Sequence, residues 1–248
     1  MNLTRARQWL IMFSGLVVLG VSGFPDTLTV LATDDIYAAG HSTLPATIDP
    51  GTFPVLASVT ADPNQILTFS SVTGMVGCNF VITNGPDGTC FPGVSTTVTS
   101  YGGLSGISVN QANMFLVGVF LGAAEPAGAG PPILAYNYST PGSLNTSDSS
   151  FSPALDQVFF IGDGLTGTGT GQQQVFDVPT DAARFYLGFA DSFDSVPSYY
   201  DDNVGSLTAT FAFTEQPSSV PEPRSVFLVT CVLLMGVFLY RRRLKQLR

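Results

Sequence analysis

The sequence predicts an all-β fold for residues 24–214, and three observations support this. Helical periodicity is nearly absent from this segment. Short runs rich in Val, Ile, Phe, Thr and Tyr are instead separated by Gly, Pro, Asn and Asp, which is typical of strands joined by turns. The many short strands, their even spacing and the scarcity of charge favour a jelly-roll-like β-sandwich, and the segment is long enough for one buried core.

The predicted strands are residues 28–32, 54–61, 65–73, 78–82, 94–100, 115–121, 133–136, 157–161, 173–178, 184–190 and 206–213. Alternation is clearest in the last of them, where Leu207, Ala209, Phe211 and Phe213 are expected on one face. The stretches 123–132 and 139–153 are predicted to be loops.

The N-terminal 23 residues have the organisation of a secretory signal peptide. Arg5 and Arg7 form a basic region, and a predominantly apolar run follows at 9–21. Small residues at 21–23 offer a cleavage site, with 30–32 as the second choice. We therefore expect a signal-peptide helix at 1–23 that directs export, with a retained N-terminal anchor as the alternative.

The last 29 residues contain three parts in a fixed order. Val220, Pro221, Glu222 and Pro223 form a stiff extended tetrapeptide, because each proline restricts its own φ and the residue before it. Residues 225–240 carry no charge and would form a transmembrane helix of roughly 24 Å, shorter than the ~30 Å hydrocarbon core. Arg241, Arg242 and Arg243 then begin a basic tail, which is expected to stay in the cytoplasm.

This order closely resembles the PEP-CTERM sorting signal of bacterial exported proteins. The resemblance implies that the chain is the substrate of an exosortase, a membrane enzyme thought to cleave near the Pro-Glu-Pro motif. It divides the chain into a signal peptide (1–23), an exported domain (24–214), a linker (215–219) and a sorting signal (220–248). The protein would be an inner-membrane-anchored precursor first, and a cell-surface or matrix protein after cleavage. A plain C-terminal anchor is the alternative.

The exported part is strongly acidic. Between residues 24 and 220, Arg184 is the sole basic residue other than His41 and faces 17 carboxylates, a formal charge of −16. Such a surface repels phosphate backbones, which argues against nucleic-acid binding. It suits hard divalent cations such as Ca²⁺, although solubility outside the cell explains the charge equally well.

Two of the three cysteines lie in the exported part. Cys78 and Cys90 flank a loop rich in Gly, Pro and Asn in an oxidising compartment, so we expect them to form a disulfide. Free thiols are the alternative. Cys231 lies in the predicted transmembrane helix.

Residues 177–213 contain the pattern Tyr-Leu-Gly-x-x-Asp, followed by Asp-Asn-x-Gly-Ser-Leu. This pattern resembles the closing hairpin of small calcium-dependent, galactose-binding bacterial lectins. The resemblance implies that Asp191, Asp202 and Asn203 bind Ca²⁺, which in turn holds sugar hydroxyls. The chain departs from the pattern, since Asp202 and Ala190 stand where those lectins have Asn. Asp194 and Asp201 add carboxylates, and a solvated acidic turn is the alternative.

Catalytic motifs are not supported. Residues 162–167 match G-x-G-x-x-G, but glycines and a strand follow instead of a helix, so we expect a glycine-rich hairpin. His41 is the single histidine, which excludes a His/Cys zinc set. A Ser-His-Asp triad would have to use His41, which sits in a predicted loop, and the sequence contains no nucleophile-elbow motif. The sequence thus favours a non-catalytic surface or matrix protein. The alternatives are a calcium-dependent carbohydrate-binding module that meets extracellular polysaccharide and, third, a hydrolase using acidic residues.

Overall fold

The computed structural model describes residues 25–44, 46, 49–57, 62, 64–137 and 143–216. The predicted signal peptide, Val220–Pro223 motif, transmembrane segment 225–240 and Arg241–Arg243 cluster lie outside the described residues. In the part of the chain that is described, no helix has the length and apolar character needed to cross a membrane.

The described residues are mostly strands with very little helix, so the all-β prediction is confirmed. The helical elements among them are two single 3₁₀ turns, Ile36–Ala38 and Tyr200–Asp202. The strands are β1 (Asp26–Leu31), β2 (Val55–Leu56), β3 (Gln65–Gly77), β4 (Thr96–Val98), β5 (Ile107–Val109), β6 (Leu116–Leu121), β7 (Leu134–Tyr136), β8 (Ser150–Phe151), β9 (Val158–Phe160), β10 (Leu165–Gly167), β11 (Thr170–Gln173), β12 (Val175–Asp177), β13 (Arg184–Phe189), β14 (Ser192–Phe193), β15 (Val196–Pro197) and β16 (Val204–Glu215).

The strands form two larger sheets and three smaller ones. The largest sheet has the order β1-β16-β3-β12-β8, and a four-stranded sheet has the order β2-β13-β6-β9. A third sheet contains β4, β5 and β7, while β10–β11 and β14–β15 are separate hairpins. Both larger sheets mix distant parts of the chain, so the fold depends on non-local pairing.

The longest pairing joins β3 and β16. These strands run antiparallel from Val204 opposite Gly77 to Glu215 opposite Gln65, with one irregularity between Thr210 and Phe211. The predicted alternation in β16 is confirmed, because the four residues expected on its inner face are all buried: Leu207, Ala209, Phe211 and Phe213. β1 adds to the other edge of β16, pairing Asp26 with Phe211 and Leu31 with Ser206.

Aromatic rings connect the two larger sheets. Phe185 of β13 lies 5.7 Å from Phe211 and 5.9 Å from Phe213, measured between ring centroids. Phe120 of β6 lies 6.4 Å from Phe213. All six residues of β6 are buried, including Gly118, where an added Cβ would lie only 2.8 Å from Phe185 and from Ile161. This apolar layer is the main hydrophobic core of the described residues.

The prediction of a strand at residues 78–82 is wrong. β3 continues to Gly77 and the chain then turns, because Asn79 and Phe80 adopt left-handed backbone conformations with φ of 52° and 58°. Val76 forms an isolated bridge with Asn84 instead. The apolar residues of this loop, Phe80, Val81 and Ile82, are exposed.

Every other predicted strand overlaps an observed one, although several are shorter. The loop at 123–132 and the glycine-rich hairpin after residue 162 are confirmed, the latter as β10 and β11. Within 139–153, Ser150–Phe151 forms β8 and Phe151 is buried, so this part of the loop prediction is wrong. The Phe151 ring stacks on Phe176, and this contact cannot be inferred from the polar residues around Phe151 in the sequence.

Candidate functional site

The loop that follows β13 and precedes β16 is organised around Tyr200. This side chain is fully buried, and its hydroxyl donates to the Phe189 carbonyl at 3.1 Å. The same hydroxyl accepts the Asp191 backbone N–H, also at 3.1 Å. One phenol thus fixes the end of β13, and with it the position of the Asp191 carboxyl group.

Asp191 and Asn203 lie in direct contact. The Asn203 Nδ2 group donates to Asp191 Oδ2 at 3.0 Å, and the Ser192 backbone N–H donates to Asp191 Oδ1 at 2.8 Å. Burial raises the pKa of Asp191 to about 6 despite these two donors, and the charges of Asp202 and Asp35 raise it further. This carboxyl group therefore binds a proton more readily than an exposed carboxyl group does.

Two oxygen acceptors beside this contact lack partners. Asp202 Oδ1 and Asn203 Oδ1 are both buried and accept no hydrogen bond within the described structure. The Asp202 main chain is held in place, since its carbonyl accepts the Phe80 N–H at 2.8 Å. Buried acceptors of this kind are costly unless a donor or a cation satisfies them.

Asp191 and Asp202 line a cavity of about 210 Å³, which we call the acidic cavity. Its other walls come from Tyr199 and from the two segments that carry Phe91 and Met114. Phe91 and Tyr199 are half-exposed aromatic rings at 50% and 39%. The acidic cavity thus combines carboxylates with apolar ring faces.

The disulfide loop forms one wall of the acidic cavity. Cys78 and Cys90 are joined in a disulfide with their Cα atoms 6.2 Å apart, and Cys78 lines the cavity. Asn113 holds the segment after Cys90: its amide donates to the carbonyls of Phe91 at 2.8 Å and Val94 at 3.0 Å, and its Oδ1 accepts the Phe91 N–H at 2.9 Å. Covalent and hydrogen-bonded links therefore fix this wall.

The structure thus brings Asp191, Asp202 and Asn203 together, whereas the two additional carboxylates do not join them. Asp194 lies in the exposed turn between β14 and β15, and Asp201 is exposed on the 3₁₀ turn. Across the described ranges, no group of three or more His, Cys, Asp or Glu side chains is placed to hold a metal ion. Any cation here would rest on two carboxylates and one amide.

Sequence reasoning missed Asp35 and Tyr37, which lie behind Tyr200. Asp35 is 1% exposed, and burial raises its pKa to about 6, although the Tyr37 backbone N–H donates to its Oδ1 at 2.8 Å. The charge of Asp35 contributes to the raised pKa of Tyr200. The strand pairing explains this neighbourhood: β1 and β16 are antiparallel, so carboxylates just after β1 meet residues just before β16 at one sheet edge.

His41 lies between two loops and contacts both. Its two ring nitrogens lie 3.0 Å from Glu125 Oε1 and 2.8 Å from the Gly102 carbonyl. Both partners are hydrogen-bond acceptors, so the ring connects two loops. Neither partner is a serine hydroxyl or a cysteine thiol.

The chain was compared with known proteins. No protein-family model matches it, and no curated protein or solved structure is significantly similar to it.

Proposed function

We propose that this chain is a non-catalytic exported protein of a bacterial cell surface or extracellular matrix, and that an exosortase cleaves its PEP-CTERM tail. The observation that carries the proposal is the order of three elements: Val220–Pro223, an uncharged span at 225–240, and the Arg241–Arg243 cluster. The prolines keep the motif extended, which is the backbone conformation that a protease subsite accepts. Glu222 adds a negative charge that the enzyme recognises.

Charge and composition support the same proposal. The exported part has one arginine against 17 carboxylates, while six of the nine basic residues follow Pro223. This separation keeps the basic end in the cytoplasm and lets the acidic domain act outside. The described β-structure extends to Glu215, so only a short linker separates it from the motif.

The experiment compares variants in strains with and without the sorting enzyme. Replacing Pro221, Glu222 and Pro223 by alanine is expected to leave export intact but to trap full-length protein in the membrane. Replacing Arg241–Arg243 by alanine is expected to weaken retention before cleavage. The measurement is the mass of the C-terminal peptide in membrane and extracellular fractions. An intact Arg248 in the extracellular form, or equal masses in both strains, would show that the tail is an anchor alone.

We also propose that the two larger sheets form the layers of a jelly-roll-like β-sandwich. The ring contacts of Phe120 and Phe185 with Phe211 and Phe213 support this arrangement. A crystal structure in which these rings do not meet would contradict it.

The second candidate function is calcium-dependent carbohydrate binding at the acidic cavity. The observation that favours it is the pair of buried acceptors without partners, Asp202 Oδ1 and Asn203 Oδ1, next to the carboxyl group of Asp191. Ca²⁺ takes 6–8 oxygen ligands, so these three side chains would leave positions for water and for sugar hydroxyls. The exposed rings of Phe91 and Tyr199 offer apolar faces to the sugar.

A thermal-unfolding titration tests this candidate. Ca²⁺ at 100 times its Kd is expected to stabilise the protein by about 2.7 kcal/mol. Asp202→Ala should abolish that shift, whereas Asp201→Ala should keep it, because Asp201 is the exposed neighbour on the same turn. Equal melting temperatures in EDTA and in millimolar Ca²⁺ would leave a solvated acidic turn as the better account.

A further inference from the structure

Two exposed aromatic rings line the acidic cavity, and a third ring supports one of them. Phe91 and Tyr199 both belong to the cavity wall and keep 50% and 39% of their surface exposed. Phe193, which is 45% exposed, packs edge-on against Tyr199 with the ring centroids 5.4 Å apart. Large apolar groups gathered at one exposed place mark a surface that a ligand covers.

The backbone is strained where it brings side chains to this cavity. Met114 and Tyr199, which both line it, have left-handed φ values of 58° and 65°. Bulky side chains rarely adopt this conformation, and residues held in it cluster at ligand sites. Another part of the wall is fixed by the disulfide between Cys78 and Cys90. The cavity is therefore shaped by the fold itself, before a ligand arrives.

The charges around the cavity favour a positively charged ligand. Asp191 and Asp202 line it, and none of the described residues in its wall is basic. Asp202 Oδ1 accepts no hydrogen bond in the described structure, so no donor offsets the charge there. A phosphate or carboxylate group on a ligand would be repelled by the two carboxylates and would find no countercharge.

The aromatic rings narrow the kind of cation. A metal ion must bond directly to oxygen atoms. A quaternary ammonium group has no N–H to donate, so it needs no contact with a carboxylate oxygen and is attracted by the charge at longer range. Its methyl groups pack against aromatic rings, whose faces attract the positive charge. The cavity volume of about 210 Å³ suits a small ligand of this class.

We propose that the acidic cavity binds a small organic cation with a quaternary ammonium group, such as choline, and that this binding needs no metal ion. The ammonium group packs against the rings of Phe91 and Tyr199, close to the carboxylates of Asp191 and Asp202. The proposal does not rest on the PEP-CTERM tail. It names an occupant other than Ca²⁺ for the same cavity, since the same carboxylates would attract both cations.

Isothermal titration of the full-length chain tests the proposal, in EDTA and in a detergent without an ammonium headgroup. A pH of 8 keeps Asp191 charged, because its pKa is about 6. The first two probes are choline and its uncharged isostere, in which a tert-butyl group replaces the trimethylammonium group. Phosphocholine and glycine betaine add an anionic group. We expect choline to bind and each of the other three to bind at least tenfold more weakly.

Three variants and two matched controls locate the site. Phe91→Leu and Tyr199→Leu keep an apolar side chain but remove the ring, so each should weaken choline binding several-fold. Asp202→Asn removes a charge beside the cavity and should weaken it as well. Phe53→Leu removes a ring that is exposed outside the cavity wall, and Asp201→Asn removes a charge from the exposed neighbour on the same 3₁₀ turn. Both controls should bind choline as the original chain does.

Several outcomes would overturn the proposal. Choline that does not bind, or an uncharged isostere that binds as tightly, would exclude a cation site. Unchanged choline binding in both the Phe91→Leu and the Tyr199→Leu proteins would exclude the aromatic wall. Tighter binding of phosphocholine than of choline would show that the ligand is a zwitterionic headgroup instead. Because these titrations contain EDTA, a failure of Ca²⁺ to stabilise the protein would leave their result untouched and would concern the calcium candidate alone.

Discussion

Two cavities are lined by neighbouring parts of one segment: Asn113 and Met114 line the acidic cavity, and Gln111 and Ala112 line a second cavity of about 250 Å³ that Asp87 also lines. The carboxylates at the two places are held differently. Next to the second cavity, Asp163 accepts two main-chain N–H groups and donates its own N–H to Asp87. In the acidic cavity, Asp191 relies partly on the Asn203 side chain and faces the charges of Asp202 and Asp35. Fixed main-chain N–H donors stabilise the charged form of a carboxylate even without a cation. Neighbouring carboxylates destabilise that form, because their charges repel one another. Burial also raises the pKa of Asp87 at the second cavity, but that of Asp191 reaches about 6, so we expect the larger responses to pH and cations at the acidic cavity.

The largest expected effect is on the pH dependence of stability. The pKa of Asp35 and that of Asp191 are each raised from 3.8 to about 6, mainly by burial. Protonated carboxyls therefore favour the folded state, so their contribution is complete below about pH 4 and lost as pH rises through about 6. Each carboxyl corresponds to about 3 kcal/mol at most. Denaturant unfolding between pH 4 and pH 8 should show stability falling in this window.

Two variants separate buried carboxyls from general charge repulsion. Asp191→Asn should flatten the pH dependence, while Asp201→Asn removes the same charge from an exposed position and should keep it. A free energy of unfolding that rises from pH 4 to pH 7 would contradict the assignment of these two carboxyls.

The disulfide provides the next largest effect. Replacing Cys78 and Cys90 by alanine should lower the free energy of unfolding by about 3 kcal/mol in the chain-entropy model. Since Cys78 lines the acidic cavity, hydrogen exchange should increase at Phe80 and Phe91 but not at Leu165 and Gly169. Alkylation of both cysteines in unreduced, unfolded protein would show instead that the thiols are free.

A smaller effect is expected from the phenol that organises the loop. Tyr200→Phe removes the hydroxyl that donates to Phe189 O and accepts from the Asp191 N–H. Leaving these main-chain groups unpaired should cost about 2 kcal/mol in urea unfolding. Tyr199→Phe is the matched control at a partly exposed neighbour and should change stability by less than about 0.5 kcal/mol. Equal effects of the two variants would mean that Tyr200 contributes packing alone.

The smallest expected effect comes from Asp163, whose carboxylate accepts two main-chain N–H groups. Asp163→Asn keeps one oxygen acceptor, but its amide N–H group then faces a main-chain N–H donor. This mismatch should lower the free energy of unfolding in urea by about 1 kcal/mol. Because the charge of Asp163 raises the pKa of Asp87, a small change in the pH dependence is expected, whereas any Ca²⁺ stabilisation at the acidic cavity should stay unchanged. A change in the Ca²⁺ stabilisation would mean that the two cavities are coupled.

Strands that alternate strongly could be predicted from the sequence, whereas some of the shortest ones could not. β16 alternates between polar and apolar residues, so its inner face was predicted correctly. β5 and β8 have only three and two residues, and tertiary pairing rather than local pattern makes them strands. The 78–82 error has a similar cause, because β-forming side chains there occupy a turn whose backbone is left-handed.

The residues of the candidate site were also only partly predictable from the sequence. Asp191, Asp202 and Asn203 were named from a short pattern, and the structure places them together. Asp35 and Asp87 required knowledge of which strand ends and which turns meet, since they are far from their partners in sequence. Asp163 was noted only as part of a glycine-rich motif, although its carboxylate organises the hairpin that follows.

The position of β16 has a mechanical consequence. It is the last described strand, it lies between β1 and β3, and it ends at Glu215, just before the proposed linker and sorting motif. Ladder hydrogen bonds in antiparallel pairs run perpendicular to the strands. A pull transmitted through Gln216 acts along the axis of β16 and loads both ladders in shear, so many hydrogen bonds must yield together instead of opening one after another. Under the proposed attachment through the tail, the load would fall on a strand that is paired along both edges.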